Sequence, residues 1–123
     1  MGEGQVTVLL VEDDDSLRLL CRVNLELAGF RVREAPTLAE AREALLERPD
    51  VVLLDLHISG ENAHPILEEA KLVDPAPAVL LFSGTAEIDS ALRSRADGAV
   101  PKPFEIEALI GAVRDAARRP ADG

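Results

Sequence analysis

Short apolar runs alternate with longer segments in which apolar residues recur every three or four positions, and a turn signal separates nearly every pair. The runs are Val6–Val11, Phe30–Arg33, Val51–Leu54, Ala78–Phe82 and Ala99–Val100. Three of them are continuously apolar, the pattern of strands covered on both faces, so the spacing predicts a parallel, buried sheet. The first helix is predicted over Ser16–Ala28, with Leu17, Leu20, Cys21, Leu27 and Ala28 on its apolar side and Gly29 as its C-terminal stop. Thr37-Leu38-Ala39-Glu40 has the form of a capping box, opening a second helix that reaches about Glu47. A third, about Ala63–Val73, carries Pro65 near its start, with Pro75 and Pro77 beyond its end. A fourth, around Glu87–Arg95, has a thin apolar stripe and is expected to be mobile. The fifth, about Glu105–Arg118, places Ile106, Leu109, Ile110 and Val113 at helical spacing and ends in Arg118-Arg119, where cations favour the dipole. Five βα repeats with right-handed crossovers put helices on both faces of the sheet.

At 123 residues the chain has room for one domain, with a core over about 6–118 and a frayed tail at 119–123. With 47% hydrophobic and 29% charged residues it is expected to fold alone. Thirteen basic against twenty-three acidic side chains leave a net charge of −10, a field that repels nucleic-acid backbones and anionic lipid and attracts divalent cations or basic partners. Trp and Tyr are absent and Phe occurs three times, so no platform for stacking bases or a flavin is present. The longest apolar stretches fall far short of the roughly 18 residues of a membrane span. The opening MGEGQV has no basic n-region, and Val6 stands where myristoylation would require Ser or Thr. With the single Cys21 read as core, a reducing, cytoplasmic setting is expected.

Ligands of open α/β sheets bind beyond the carboxyl ends of the strands. Those ends carry Glu12-Asp13-Asp14 after the first run, Asp55 after the third, Ser83-Gly84-Thr85 after the fourth and Pro101-Lys102-Pro103 after the fifth. Taken singly, each has a plain reading: Asp14 and Asp15 as helix caps, Asp55 as a turn residue, Lys102 as a surface lysine. Taken together, carboxylates from two strands repel one another unless a hard cation sits among them, and Mg²⁺ takes such oxygen ligands. A carboxylate beside Mg²⁺ can attack a phosphoryl group and form an aspartyl-phosphate. Phosphoryl transfer then needs positioning and countercharge, for which Lys102 and the Ser83 hydroxyl are candidates.

These residues resemble the receiver domain of bacterial two-component response regulators. VLLVEDD, VVLLDLHISG, LFSGT and VPKPF look like that family's four strand-end motifs in order and spacing, and the likeness covers about Val6 to Arg118. The resemblance implies a doubly wound five-stranded sheet of order 2-1-3-4-5, whose ligand lies at the switch point between the first and third strands. It implies that Glu12 and Asp13 hold Mg²⁺, Asp13 directly and Glu12 through water. Asp55 is then the phosphoacceptor, and His57 offers its backbone carbonyl to the metal with its side chain solvated. By the same likeness Ser83 is the switch hydroxyl, and Lys102 contacts the phosphoryl group ahead of a cis proline. The implied partners are a sensor histidine kinase or histidine phosphotransfer protein and a downstream protein target or effector domain, with room for a phosphorylation-dependent homodimer.

Three departures from the family pattern stand out. Ala99 replaces the usual aromatic three residues before the lysine; Ser59 and Asn62-Ala63 replace a Pro and an Asp-Gly after the phosphoacceptor; and His57 and Thr85 occupy positions that tune dephosphorylation. His64 is expected at the surface, and Phe82 and Phe104 beneath the site. The rival readings are a pseudo-receiver that binds partners without phosphorylation, a haloacid-dehalogenase-like phosphatase and a flavodoxin. Asp55-Leu56-His57 lacks the second Asp of such a phosphatase, and no glycine-rich phosphate loop follows the first strand.

Overall fold

The computed structural model describes residues 5–84 and 88–118. Five strands, β1 (Thr7–Val11), β2 (Arg31–Ala35), β3 (Val51–Leu54), β6 (Ala78–Leu81) and β7 (Gly98–Ala99), form one sheet in the order β2-β1-β3-β6-β7. Every pairing in it is parallel. Counted along the sheet-forming strands, this is the expected order 2-1-3-4-5. Five helices alternate with them: α1 (Asp15–Leu27), α2 (Leu38–Leu45), α3 (His64–Ala70), α4 (Ser90–Arg95) and α5 (Ile106–Ala117).

The two-residue alternation of the strands divides the core. Val8, Leu10, Val51, Leu53 and Leu80 join Cys21 and Leu25 of α1 and Leu109 and Val113 of α5 in one cluster. Leu9, Val11, Val52, Leu54, Val79 and Leu81 join α2, α3 and Leu92 of α4 in the other. Continuous apolar strands are therefore covered on both faces, as the runs predict. Register aligns the carboxyl ends: Val11 lies opposite Leu54, and Leu54 opposite Leu81. The residues that follow share one rim.

The ends of the helices follow their side chains. Asp14 caps α1 by accepting from Leu17 N–H at 3.0 Å, which leaves its carboxylate as the capping group the plain reading assigned. Gly29, at φ 101°, ends the same helix. Gly29 N–H bonds Glu26 O and Phe30 N–H bonds Leu25 O, the paired reverse contacts of a Schellman stop. At Thr37 the capping box is half formed. Its Oγ1 accepts from Glu40 N–H, but the Glu40 carboxylate accepts from the Thr37 hydroxyl rather than from the Thr37 amide.

Two expectations need correction, and one element was not anticipated. On α1, Leu20 and Leu27 are 46% and 80% exposed, while Cys21 and Leu25 are fully buried. With about 100° per residue, Leu17, Leu25 and Ala28 fall within about 40° of Cys21, whereas Leu20 and Leu27 lie about 100° and 120° away. The unanticipated element is a short antiparallel hairpin, β4 (His57–Ile58) and β5 (Glu61–Asn62), outside the main sheet. Ser59-Gly60 is the turn that joins them, and the flanks are too short to show a strand period. Second, α4 covers six residues from Ser90; Glu87, Thr85 and the tail 119–123 lie outside the described residues.

Candidate functional site

Glu12 follows β1, and its backbone continues the ladder by donating to Ala35 O at 3.2 Å. That places its side chain inside the rim at 1% exposure. Its Oε2 accepts from Asp14 N–H at 3.0 Å and its Oε1 from Lys102 Nζ at 2.8 Å. Asp55 follows β3 in the same way, donating from its N–H to Val11 O at 3.1 Å. Three donors surround its carboxylate: Ser83 Oγ at 3.0 Å and His57 N–H at 3.2 Å on Oδ1, and Lys102 Nζ at 3.0 Å on Oδ2. Asp13 is exposed, and its Oδ2 accepts from Ser59 N–H at 2.8 Å.

Ser83 is buried and has two tasks. Its hydroxyl donates to Asp55 and its oxygen accepts from Leu56 N–H at 3.2 Å. Lys102 is held at the rim by its own N–H, which donates to Ser83 O at 2.8 Å, and its peptide bond to Pro103 is cis. The ammonium lies 4.6 Å from the centre of the Phe82 ring, a cation–π contact, and Phe104 meets Phe82 edge-on at 5.1 Å.

Burial dominates the acid–base behaviour. It pushes the Glu12 carboxyl up to about 7, with the Asp55 charge adding to the rise and the hydrogen bonds from Lys102 and the Asp14 amide opposing it. Burial alone would lower Lys102, but its hydrogen bonds to Glu12 and Asp55 more than offset that, so the ammonium is held above its ordinary value. Ligand oxygens of Glu12, Asp13 and Asp55 lie within 4.8 Å of one another. Three carboxylates against one ammonium, an all-oxygen donor set at the end of rigid strands, fit a hard divalent cation.

The structure thus brings Glu12, Asp13, Asp55, Ser83 and Lys102 to one place and sets the exposed His57 of β4 beside Asp55 through its amide. It does not bring in Asp15, whose exposed carboxylate pairs with Arg18 at 2.7 Å. His64 is half-buried at the start of α3, and its amide bonds Asn62 Oδ1. Cys21 is buried, which pushes its thiol up to about 11 and makes it an inert core residue. Ala99 is half-buried, opposite Leu81 in β7.

Two contributors were not legible in the sequence. Arg18 bonds Glu12 O at 3.0 Å while also holding Glu34 and Asp15, so it ties α1 to the ends of β1 and β2. Its position one turn after Asp14-Asp15 was the available signal. The Ser59 amide is backbone and leaves no residue signature.

A family model described as response regulator receiver domain matches residues 8–114. The KDP operon transcriptional regulatory protein KdpE of Escherichia coli is 35% identical over 115 residues, covering 91% of this chain and 51% of that protein. Sporulation initiation phosphotransferase F of Bacillus subtilis is 31% identical over 111 residues, covering 87% of this chain and 90% of that protein. A CheY-like response regulator receiver domain from Methylobacillus flagellatus shares the fold, with a TM-score of 0.81 at 19% identity over 91% of this chain and 98% of that one. The chain spans about half the length of the transcriptional regulators it matches.

Proposed function

Because the chain belongs to the response regulator receiver domain family of two-component signalling, we propose that it is a phosphoacceptor switch working as one unit over about residues 6–118, with Asp55 as the acceptor. The observation that carries this is the environment of Asp55: a buried carboxylate at a strand end, held by a hydroxyl, an amide and an ammonium, facing Glu12 and Asp13. Glu12, Asp13, Asp55 and the backbone carbonyl of His57 would hold Mg²⁺. When bound, that ion supplies countercharge to the phosphoryl oxygens.

An Asp55 oxygen attacks the phosphorus of a phosphohistidine on a sensor kinase or histidine phosphotransfer protein. The new bond is O–P, the P–N bond breaks, and the electron pair leaves with the imidazole. Lys102 pairs with a phosphoryl oxygen, and Ser83 donates its hydroxyl to another. In a separate dephosphorylation step water attacks phosphorus, the O–P bond breaks, and Asp55 returns as a carboxylate with release of inorganic phosphate. The role is regulatory: the product is a changed surface read by a downstream protein or effector domain, or by a second copy, in a cytoplasmic setting. A net charge of −10 disfavours direct contact with nucleic acid.

Intact mass after incubation with acetyl phosphate or phosphoramidate tests this, with and without Mg²⁺, on the parent and on Asp55→Asn. A Mg²⁺-dependent gain of one phosphoryl group, absent in Asp55→Asn, is expected. No gain from these donors or from a phosphohistidine would sink the proposal in favour of a pseudo-receiver.

A further inference from the structure

The turn joining β4 to β5 reaches the mouth of the site. Its central residues, Ser59 and Gly60, have φ of 53° and 80°, the pair of positive angles found in type I′ hairpin turns. The hairpin is fixed from below. Ala63 N–H donates to Leu56 O at 2.8 Å, Ile58 is buried in the core beside α2 and α3, and Asn62 Oδ1 accepts from His64 N–H at 2.7 Å. Held this way, the turn aims Ser59 N–H at Asp13 Oδ2, 2.8 Å away. Within the carboxylate cluster Glu12 and Asp55 are buried and braced by Lys102. Asp13 is the exposed member, and this amide comes from a separate element.

We propose that the Ser59 backbone amide is a positioning group for Asp13, so that divalent-cation binding at the cluster is coupled to the closed form of the His57–Asn62 hairpin. The inference rests on the reading that Glu12, Asp13 and Asp55 hold Mg²⁺. An exposed Asp samples several rotamers. Fixing Oδ2 on the amide selects one of them. Partners that orient a metal ligand in this way are worth about 10- to 100-fold in metal affinity. The coupling is reciprocal: whatever the turn contributes to the cation, the cation returns to the turn. The segment directly after Asp55 would then respond to site occupancy without an aromatic at position 99.

Backbone chemistry supplies the variants. Ser59→Pro removes the N–H and cannot adopt a positive φ, whereas Ser59→Gly keeps the N–H and favours that φ. MgCl2 binding is followed by calorimetry near neutral pH for the parent and both variants, and amide exchange of the parent is followed by NMR with and without Mg²⁺. Ser59→Pro is expected to bind Mg²⁺ about 10-fold or more weakly, Ser59→Gly close to the parent, and the parent's Ser59 amide to gain protection with Mg²⁺. Parent-like affinity in Ser59→Pro overturns the coupling while leaving the metal reading intact. A parent that binds no Mg²⁺ overturns both. If Ser59→Pro does not fold, the exchange experiment decides, and unchanged Ser59 protection on adding Mg²⁺ refutes the inference.

Discussion

Ser83→Ala perturbs fold and site at once, and its cost follows from the hydrogen bonds. Ser83 is 1% exposed, and its hydroxyl accepts from Leu56 N–H at 3.2 Å and donates to Asp55 Oδ1 at 3.0 Å. After substitution Asp55 Oδ1 keeps the His57 amide, so the larger loss is at Leu56, itself 1% exposed. A buried donor left without an acceptor costs about 1–3 kcal/mol, more than the roughly 1 kcal/mol that an ordinary exchangeable hydrogen bond contributes. For a chain of this length the entropy of unfolding is about 0.26 kcal/mol/K, so each kcal/mol lowers Tm by about 4 °C and the expected drop is about 4–12 °C. With no Trp or Tyr in the chain, urea and thermal unfolding are best followed by far-UV circular dichroism in EDTA. A loss below about 0.5 kcal/mol, the level of a neutral surface change, together with unaltered exchange of the Leu56 amide, would show that the hydroxyl does not hold the Asp55–Leu56 backbone.

Glu12, raised from 4.5 to about 7, keeps its proton in the folded chain over a range where the unfolded chain has lost it. The metal-free protein should therefore lose stability as pH rises from about 4.5 through 7 and level off above, and Glu12→Gln should flatten that slope in urea titrations run in EDTA. Lys102→Met leaves two buried carboxylates without their ammonium. At 24% side-chain exposure of the lysine, a loss of about 1–3 kcal/mol is expected at pH 8, shrinking at pH 5, and MgCl2 should raise the variant's Tm more than the parent's. Leu25→Ala should cost about 2–5 kcal/mol and Leu27→Ala less than about 0.5 in the same denaturation assay; the reverse order would refute the orientation of α1.

The parallel sheet was legible because burial on both faces writes itself into composition: Val51–Leu54 contains no polar residue, and the strand matches the run end to end. The orientation of α1 was not. Five of its thirteen residues are Leu, and they occur on more than one side. Only the angular position of Cys21 and Leu25 against α5 and the sheet decides which side is core. The acidic cluster shows the same division. Side chains at strand ends announce themselves, so Glu12, Asp13, Asp55, Ser83 and Lys102 could be named. The distances among them, the selection of Asp14 as a cap and the Ser59 amide on Asp13 depend on backbone paths that residue identity does not record.

The charge balance of the site constrains how a signal could leave it. Glu12, Asp13 and Asp55 against Lys102 sum to −3 + 1 = −2 when all are ionised, and a divalent cation would bring that to zero. Phosphorylation of Asp55 consumes one carboxylate charge and installs a group of about −2, so the cation-loaded site would go from zero to about −1. On the proposed reading the long-range field therefore changes by only about one negative charge in a chain of net charge −10. What changes is which donors serve which oxygens. Ser83 and Lys102 would turn toward the phosphoryl group, and both are tied to backbone: Ser83 to Leu56 N–H, and Lys102 through its own amide to Ser83 O. The same Leu56 bonds Ala63 N–H at the base of the hairpin. With Ala99 offering no ring to move, a mechanical path from Asp55 outward among the described residues runs through Leu56 into the His57–Asn62 hairpin, whose tip returns to Asp13.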